Sequence, residues 1–121
     1  MLLGTQSKYK ENAMEMNAYQ AAAKETAVFP PDQGIVYTAL GLASEAGEVT
    51  DKVKKVIRDS DGVFSDEARD AIKKELGDVL WYVSGLAWEL GYTLTEVADA
   101  NIQKLSSRFE RGKIGGSGDD R

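Results

Sequence analysis

The stretches EAGEV (Glu45–Val49) and ELGDV (Glu75–Val79) repeat one pattern, Glu-x-Gly-acid-Val, and their relative placement decides the fold. Each lies inside a segment with apolar residues three and four apart, the period of an amphipathic helix. The first segment runs from Asp32, a candidate N-cap, to about Arg58, with the stripe Ile35, Ala39, Leu42, Ala46, Val49, Val53 and Val56. The second opens at Ser65 or Asp66 and carries Ile72, Leu76, Val79, Val83, Leu86 and Leu90. Between them DSDGVFSD (59–66) reads as a turn with its tightest point at Asp61-Gly62. So short a connection favours an antiparallel hairpin.

In such a hairpin, residues equidistant from the tip are level. Glu45 is then opposite Asp78 and Glu48 opposite Glu75, giving two acidic rungs. At about 100° per residue, Glu45 and Glu48 lie roughly 60° and 120° from their stripe, and Glu75 and Asp78 roughly 70° and 130° from theirs. The pairs therefore sit at matching edges of the two helices and can converge. Four clustered carboxylates repel unless a cation neutralises them, and an all-oxygen donor set suits Mg²⁺, with Mn²⁺ as a substitute. Acids at i,i+3 are also commonplace on solvated helix faces, so either pair alone would signify little. The level, angle-matched repetition is what raises a metal site above that alternative.

Working outward, Tyr9, Ala13, Met16, Gln20, Ala23 and Ala27 suggest a first helix over about 9–27, stopped by FPPD (29–32). Gly91 is placed to end the third helix in a left-handed cap, and Thr93 with Glu96 forms a capping box for a fourth. That helix runs to about Arg111 with Leu94, Ala98, Ile102, Leu105 and Phe109 expected to be buried. The expected architecture is all-α: one four-helix domain over 1–121, with an N-terminal arm (1–8), a helical core (9–111) and a Gly-rich tail (112–121). On composition alone the tail reads as disordered. Gly47 and Gly77 interrupt their helices at a cost of about 1 kcal/mol each, which suggests close approach by another helix or subunit.

The 121 residues include 15 basic and 20 acidic side chains, net charge −5, which argues against nucleic-acid binding. There is no cysteine and no histidine, so a zinc site, a disulfide, a Cys nucleophile or a Ser-His pair cannot be built within the chain. The opening MLLGTQSK has no long apolar run. Neither a secretory signal nor a membrane span is expected, and the cytoplasm, or a host's cytoplasm for a phage protein, is the expected location. Near the acids, Lys52 and Lys55 continue the helix-two flank, and Tyr82 projects between Glu75 and Asp78. Asn101, Lys104 and Arg108 form a polar strip on helix four suited to a polyphosphate.

GLASEAGEVTDKVKK (41–55) and KKELGDVLWYV (73–83) resemble the paired motifs of the MazG-like all-α nucleoside triphosphate pyrophosphohydrolases. That pattern, Glu-x-x-Glu then Glu-x-x-Asp, is filled here by Glu45, Glu48, Glu75 and Asp78. The resemblance covers about Phe29 to the C-terminus. It implies a homodimer or homotetramer that cleaves NTPs or dNTPs to monophosphate and pyrophosphate, the four acids holding Mg²⁺ and a water attacking the α-phosphate. Glu48 is the choice for the proton acceptor. Asn101, Lys104 and Arg108 match phosphate-contacting positions, and Trp81 and Tyr82 are candidates for the nucleoside pocket. The ending RGKIGGSGDDR (111–121) resembles an Arg-Gly…Gly-Asp-Asn-Arg tail that could close over a site, except that Asp120 stands where Asn is expected. The competing readings are a non-enzymatic helical interaction module with a solvated acidic face, and a phosphohydrolase releasing orthophosphate.

Overall fold

The computed structural model describes residues 13–121, which fold as four α-helices and one 3₁₀ turn, with no strand among the described residues. The helices are α1 (Met16–Lys24), α2 (Gly34–Ser60), α3 (Asp66–Glu89) and α4 (Leu94–Glu110). The expected arm, and residues 9–12 of the expected first helix, lie outside the described residues. Among the described residues α1 begins at Met16 and ends at Lys24, short of the expected Ala27. Asp32 does not cap α2. It lies inside the 3₁₀ turn Pro31–Gln33, and Gln33 takes the cap position without a side-chain bond.

The turn chemistry acts as the sequence dictates. Asp61 and Gly62 both take positive φ, 52° and 76°, and their amides fold back to the Val56 carbonyl. Ser65 caps α3 by accepting from the Ala68 amide at 3.1 Å. Gly91 (φ 84°) ends α3 with paired back-bonds, Gly91 N–H to Trp88 and Tyr92 N–H to Ala87, and the Thr93–Glu96 capping box starts α4.

The α2–α3 hairpin is the body of the molecule. Its register follows from the tip: Gly34 meets Glu89, Thr38 meets Gly85 and Gly41 meets Tyr82, each pair equidistant from Asp61–Gly62. The Tyr82 ring occupies the space that a β-carbon on Gly41 would need, so the approach requires glycine there. The glycines at the seam are thus Gly34, Gly41 and Gly85. A β-carbon on Gly47 or Gly77 would meet nothing among the described residues.

The buried faces match the expected stripes at Leu42, Val49, Val53, Val56, Ile72, Val79, Val83 and Leu86 but are turned toward Glu45 and Glu75. Ile35, Ala39 and Ala46 are exposed, while Thr38, Leu42, Glu45, Val49, Lys52 and Val56 follow one another along the covered side of α2. On α3 the covered series is Ala68, Ile72, Glu75, Val79, Tyr82 and Leu86. Both series step by three and four, so Glu45 and Glu75 belong to the seam itself.

The other contacts are sparser. α1 packs on α3 and α4, and α4 touches α1 and α3 but not α2. Gln20, only 3% exposed, fixes this corner: its amide donates to the Ser84 and Tyr92 carbonyls and accepts from the Leu94 amide at 3.0 Å. Buried apolar side chains are limited to Val56, Ala87 and Leu94 among the described residues. The expected burial of α4's stripe holds for Leu94 and in part for Ala98 but fades toward its end: Ile102 is 61% exposed and Phe109 77%, because no described element covers that face. The tail is ordered rather than loose. It folds back on the end of α4, with Arg121 donating to the Lys113, Ile114 and Gly118 carbonyls and Arg111 to the Arg121 carbonyl.

Candidate functional site

Midway along the hairpin the two repeats meet. Glu45, Glu75 and Asp78 each offer a carboxylate oxygen, and these lie within 4.8 Å of one another. Glu45 and Glu75 are half-buried in the seam, whereas Asp78 is exposed. Burial, then the negative charges of Asp78, Glu75 and Glu48, push the Glu45 carboxyl above its ordinary titration range. Lys52 Nζ lies 3.5 Å from Glu75 and offsets part of the repulsion. Three converging carboxylates with one partial counter-charge form a donor set that a hard divalent cation fits. Glu48, expected in the same set, is exposed and stands outside the converging three, though close enough to act on Glu45.

An aromatic cleft of about 380 Å³ opens beside the acids, lined by Thr26, Val28, Phe29, Tyr37, Trp81 and Tyr82 together with Glu45 and Asp78. Phe29 and Tyr37 stack with centroids 4.9 Å apart, Trp81 meets Tyr82 edge-on at 4.9 Å, and Trp81 Nε1 donates to Thr26 Oγ1 at 2.8 Å. The Tyr82 phenol is pushed up by burial, by the Tyr37 hydroxyl and by Glu45 and Asp78, and therefore stays protonated as a donor. The Tyr19 phenol on α1 is also shifted up, by burial and by Asp78. The expected pair Trp81 and Tyr82 is thus joined by Phe29 and Tyr37, which sequence reasoning passed over. In the sequence Phe29 reads only as part of a helix stop, while Tyr37, Gly41 and Glu45 share one α2 face at four-residue spacing.

The expected cations divide. Lys52 is at the acids, but Lys55 pairs with Asp51 at 2.8 Å. Asn101, Lys104 and Arg108 lie on α4, which does not reach the acidic side of α2. Lys104 faces Asp119 of the tail at 3.6 Å, and Arg108, 5% exposed, bonds tail carbonyls instead of lining an open strip.

A family model, the MazG nucleotide pyrophosphohydrolase domain, matches residues 33–112, which contain the whole hairpin, the acids and α4. The chain belongs to the MazG nucleotide pyrophosphohydrolase family. It is also 47% identical over 114 residues to the Gene 37 protein of Mycobacterium phage L5, a match spanning 89% of this chain and all of the phage protein. No solved structure matches. Among the described residues no helix is long and apolar enough to cross a membrane.

Proposed function

We propose that the chain is a Mg²⁺-dependent nucleoside triphosphate pyrophosphohydrolase, converting an NTP or dNTP to its monophosphate and pyrophosphate. One observation carries this reading: carboxylates from both repeats converge within 4.8 Å beside an aromatic cleft large enough for a nucleoside. Glu45, Glu75 and Asp78 would hold the cation, Mg²⁺ or Mn²⁺. When bound it supplies the positive charge that a triphosphate needs at a negatively charged site.

The chain's own groups account for the rest. Phe29, Tyr37, Trp81 and Tyr82 offer ring faces and edges to a base, and the protonated Tyr82 phenol can donate toward sugar or phosphate oxygen. Glu48, exposed next to the converging carboxylates, accepts the proton of the attacking water. Attack at the α-phosphorus forms the new P–O bond as the bond to the bridging oxygen breaks, and pyrophosphate leaves with the electron pair. Of the expected phosphate-binding residues Lys52 stands at the acids, whereas Lys55 is held by Asp51 and Asn101, Lys104 and Arg108 lie on α4 away from them, so a role for those four at this site would need movement or a second copy of the chain. Assembly as a homodimer or homotetramer would cover the exposed Leu40, Leu76 and Phe109. The expected setting is the cytoplasm, or the host's for a phage protein.

A panel of NTPs and dNTPs with Mg²⁺, following pyrophosphate and orthophosphate separately, tests the proposal. Pyrophosphate release abolished by EDTA supports it, and orthophosphate as the product selects a phosphohydrolase. No turnover, with thermal stability indifferent to Mg²⁺, leaves a helical interaction module.

A further inference from the structure

The end of α4 holds a feature that the acidic site does not explain. Arg108 is 5% exposed, and all its hydrogen bonds use one terminal nitrogen: Nη2 donates to the Asp119 carbonyl at 2.6 Å, to the Gly118 carbonyl at 3.4 Å and to Asp119 Oδ1 at 3.5 Å. Its Nε is buried with no acceptor. The Nε–Nη2 edge of a guanidinium is a fork suited to two oxygens of one oxyanion, and here half of that fork is unfilled. The Asp119 carboxylate, 88% exposed, spans from Arg108 to Lys104 Nζ at 3.6 Å. Lys104 and then Arg108 hold its carboxyl below the usual range. Both contacts are long, as befits a weak, exchangeable pair.

The tail that delivers Asp119 is built to present it. The α4 helix ends in a left-handed Gly112 (φ 69°), with the Lys113 amide returning to the Arg108 carbonyl at 2.6 Å. Gly116 and Gly118 also take positive φ, and Arg121 closes the loop through three carbonyls. Arg111 and Arg121 hold the loop through main-chain acceptors, whereas Arg108 Nη2 spends its shortest bond on the Asp119 carbonyl, so opening the fork moves the Asp119 main chain together with its carboxylate while the arginine closures keep the rest of the loop.

We propose that the C-terminal loop is an exchangeable plug: Asp119 is an internal anion seated between Lys104 and Arg108, and a phosphate-class ligand displaces it and fills the Arg108 Nε–Nη2 fork. As a statement about catalysis, with Asp119 competing against substrate phosphate, this rests on the function proposed above. As a statement about anion binding it does not.

Calorimetry of inorganic pyrophosphate binding in EDTA, where the acidic cluster is metal-free, separates the two. An exposed ion pair contributes about 0.2–1 kcal/mol, so Asp119→Asn is expected to bind pyrophosphate up to about five-fold more tightly than the wild type. Asp120→Asn, which removes the same charge from the next residue, is expected to match the wild type, and Lys104→Ala to bind more weakly. Equal or weaker binding by Asp119→Asn, an identical gain in Asp120→Asn, or no binding by either wild type or Asp119→Asn overturns the plug. A gain confined to Asp119→Asn in a protein that hydrolyses no nucleotide sinks the proposed function and leaves the plug standing. Pyrophosphate-releasing turnover with equal affinities does the reverse.

Discussion

The α2–α3 hairpin and the α4–tail region are built on opposite terms. The hairpin buries its seam against itself, in a register fixed by one turn, and places three acids in and beside that seam. The α4 region buries Leu94 and Arg108, leaves Ile102 and Phe109 uncovered, and gathers cations that its own tail partly neutralises. One half holds negative charge that Lys52 only partly relieves and the other a shielded positive one. The lesson is that charge can be stored in a small domain either by packing like charges beside a seam or by lending an opposite charge from a flexible side chain.

The strongest way to break this contrast is at the acids. Asp78→Asn or Glu45→Gln is expected to lower pyrophosphate release by about 100-fold or more, since each removes a carboxylate from the converging set. Glu45→Gln should at the same time raise the melting temperature of the metal-free protein, because it relieves the repulsion from Asp78 and Glu75. A variant that loses activity and stability together would mean that the acids are structural partners. A second cut is at the seam. Gly41→Ala forces a β-carbon into the Tyr82 ring and is expected to cost about 1–3 kcal/mol by thermal or urea unfolding.

On the α1–α4 side, Gln20→Ala leaves the Leu94 amide and two carbonyls without their buried partner, with an expected loss of about 1–3 kcal/mol. The smallest effect sharpens the comparison most. The β-carbon of Gly47→Ala meets nothing among the described residues, so within one copy it should stabilise by up to about 1 kcal/mol. Destabilisation, together with a lower mass in sedimentation, would place another copy against that face.

Much of the hairpin was legible in the sequence, because a tight turn at Asp61-Gly62 fixes which residues are level. The rotation was not. Choosing residues for apolar character favoured Ile35, Ala39 and Ala46 on α2 over Thr38 and Gly41, which face Gly85 and Tyr82 where the helices approach closely. That shift moved Glu45 and Glu75 from the edge into the seam. The α4 stripe was correctly periodic, but periodicity says that a face is apolar and not what covers it. The tail's order was hidden for a different reason: arginines binding main-chain carbonyls leave no side-chain pattern to read.

The central claim is that the two repeats form one metal site, and Mn²⁺ binding measured by loss of the free-ion EPR signal addresses it directly. The account predicts binding by the wild type, its loss in each of Glu45→Gln, Glu75→Gln and Asp78→Asn, and its retention in Glu48→Gln, which should lose turnover instead. No binding by the wild type, or undiminished binding in all three single variants, would contradict it.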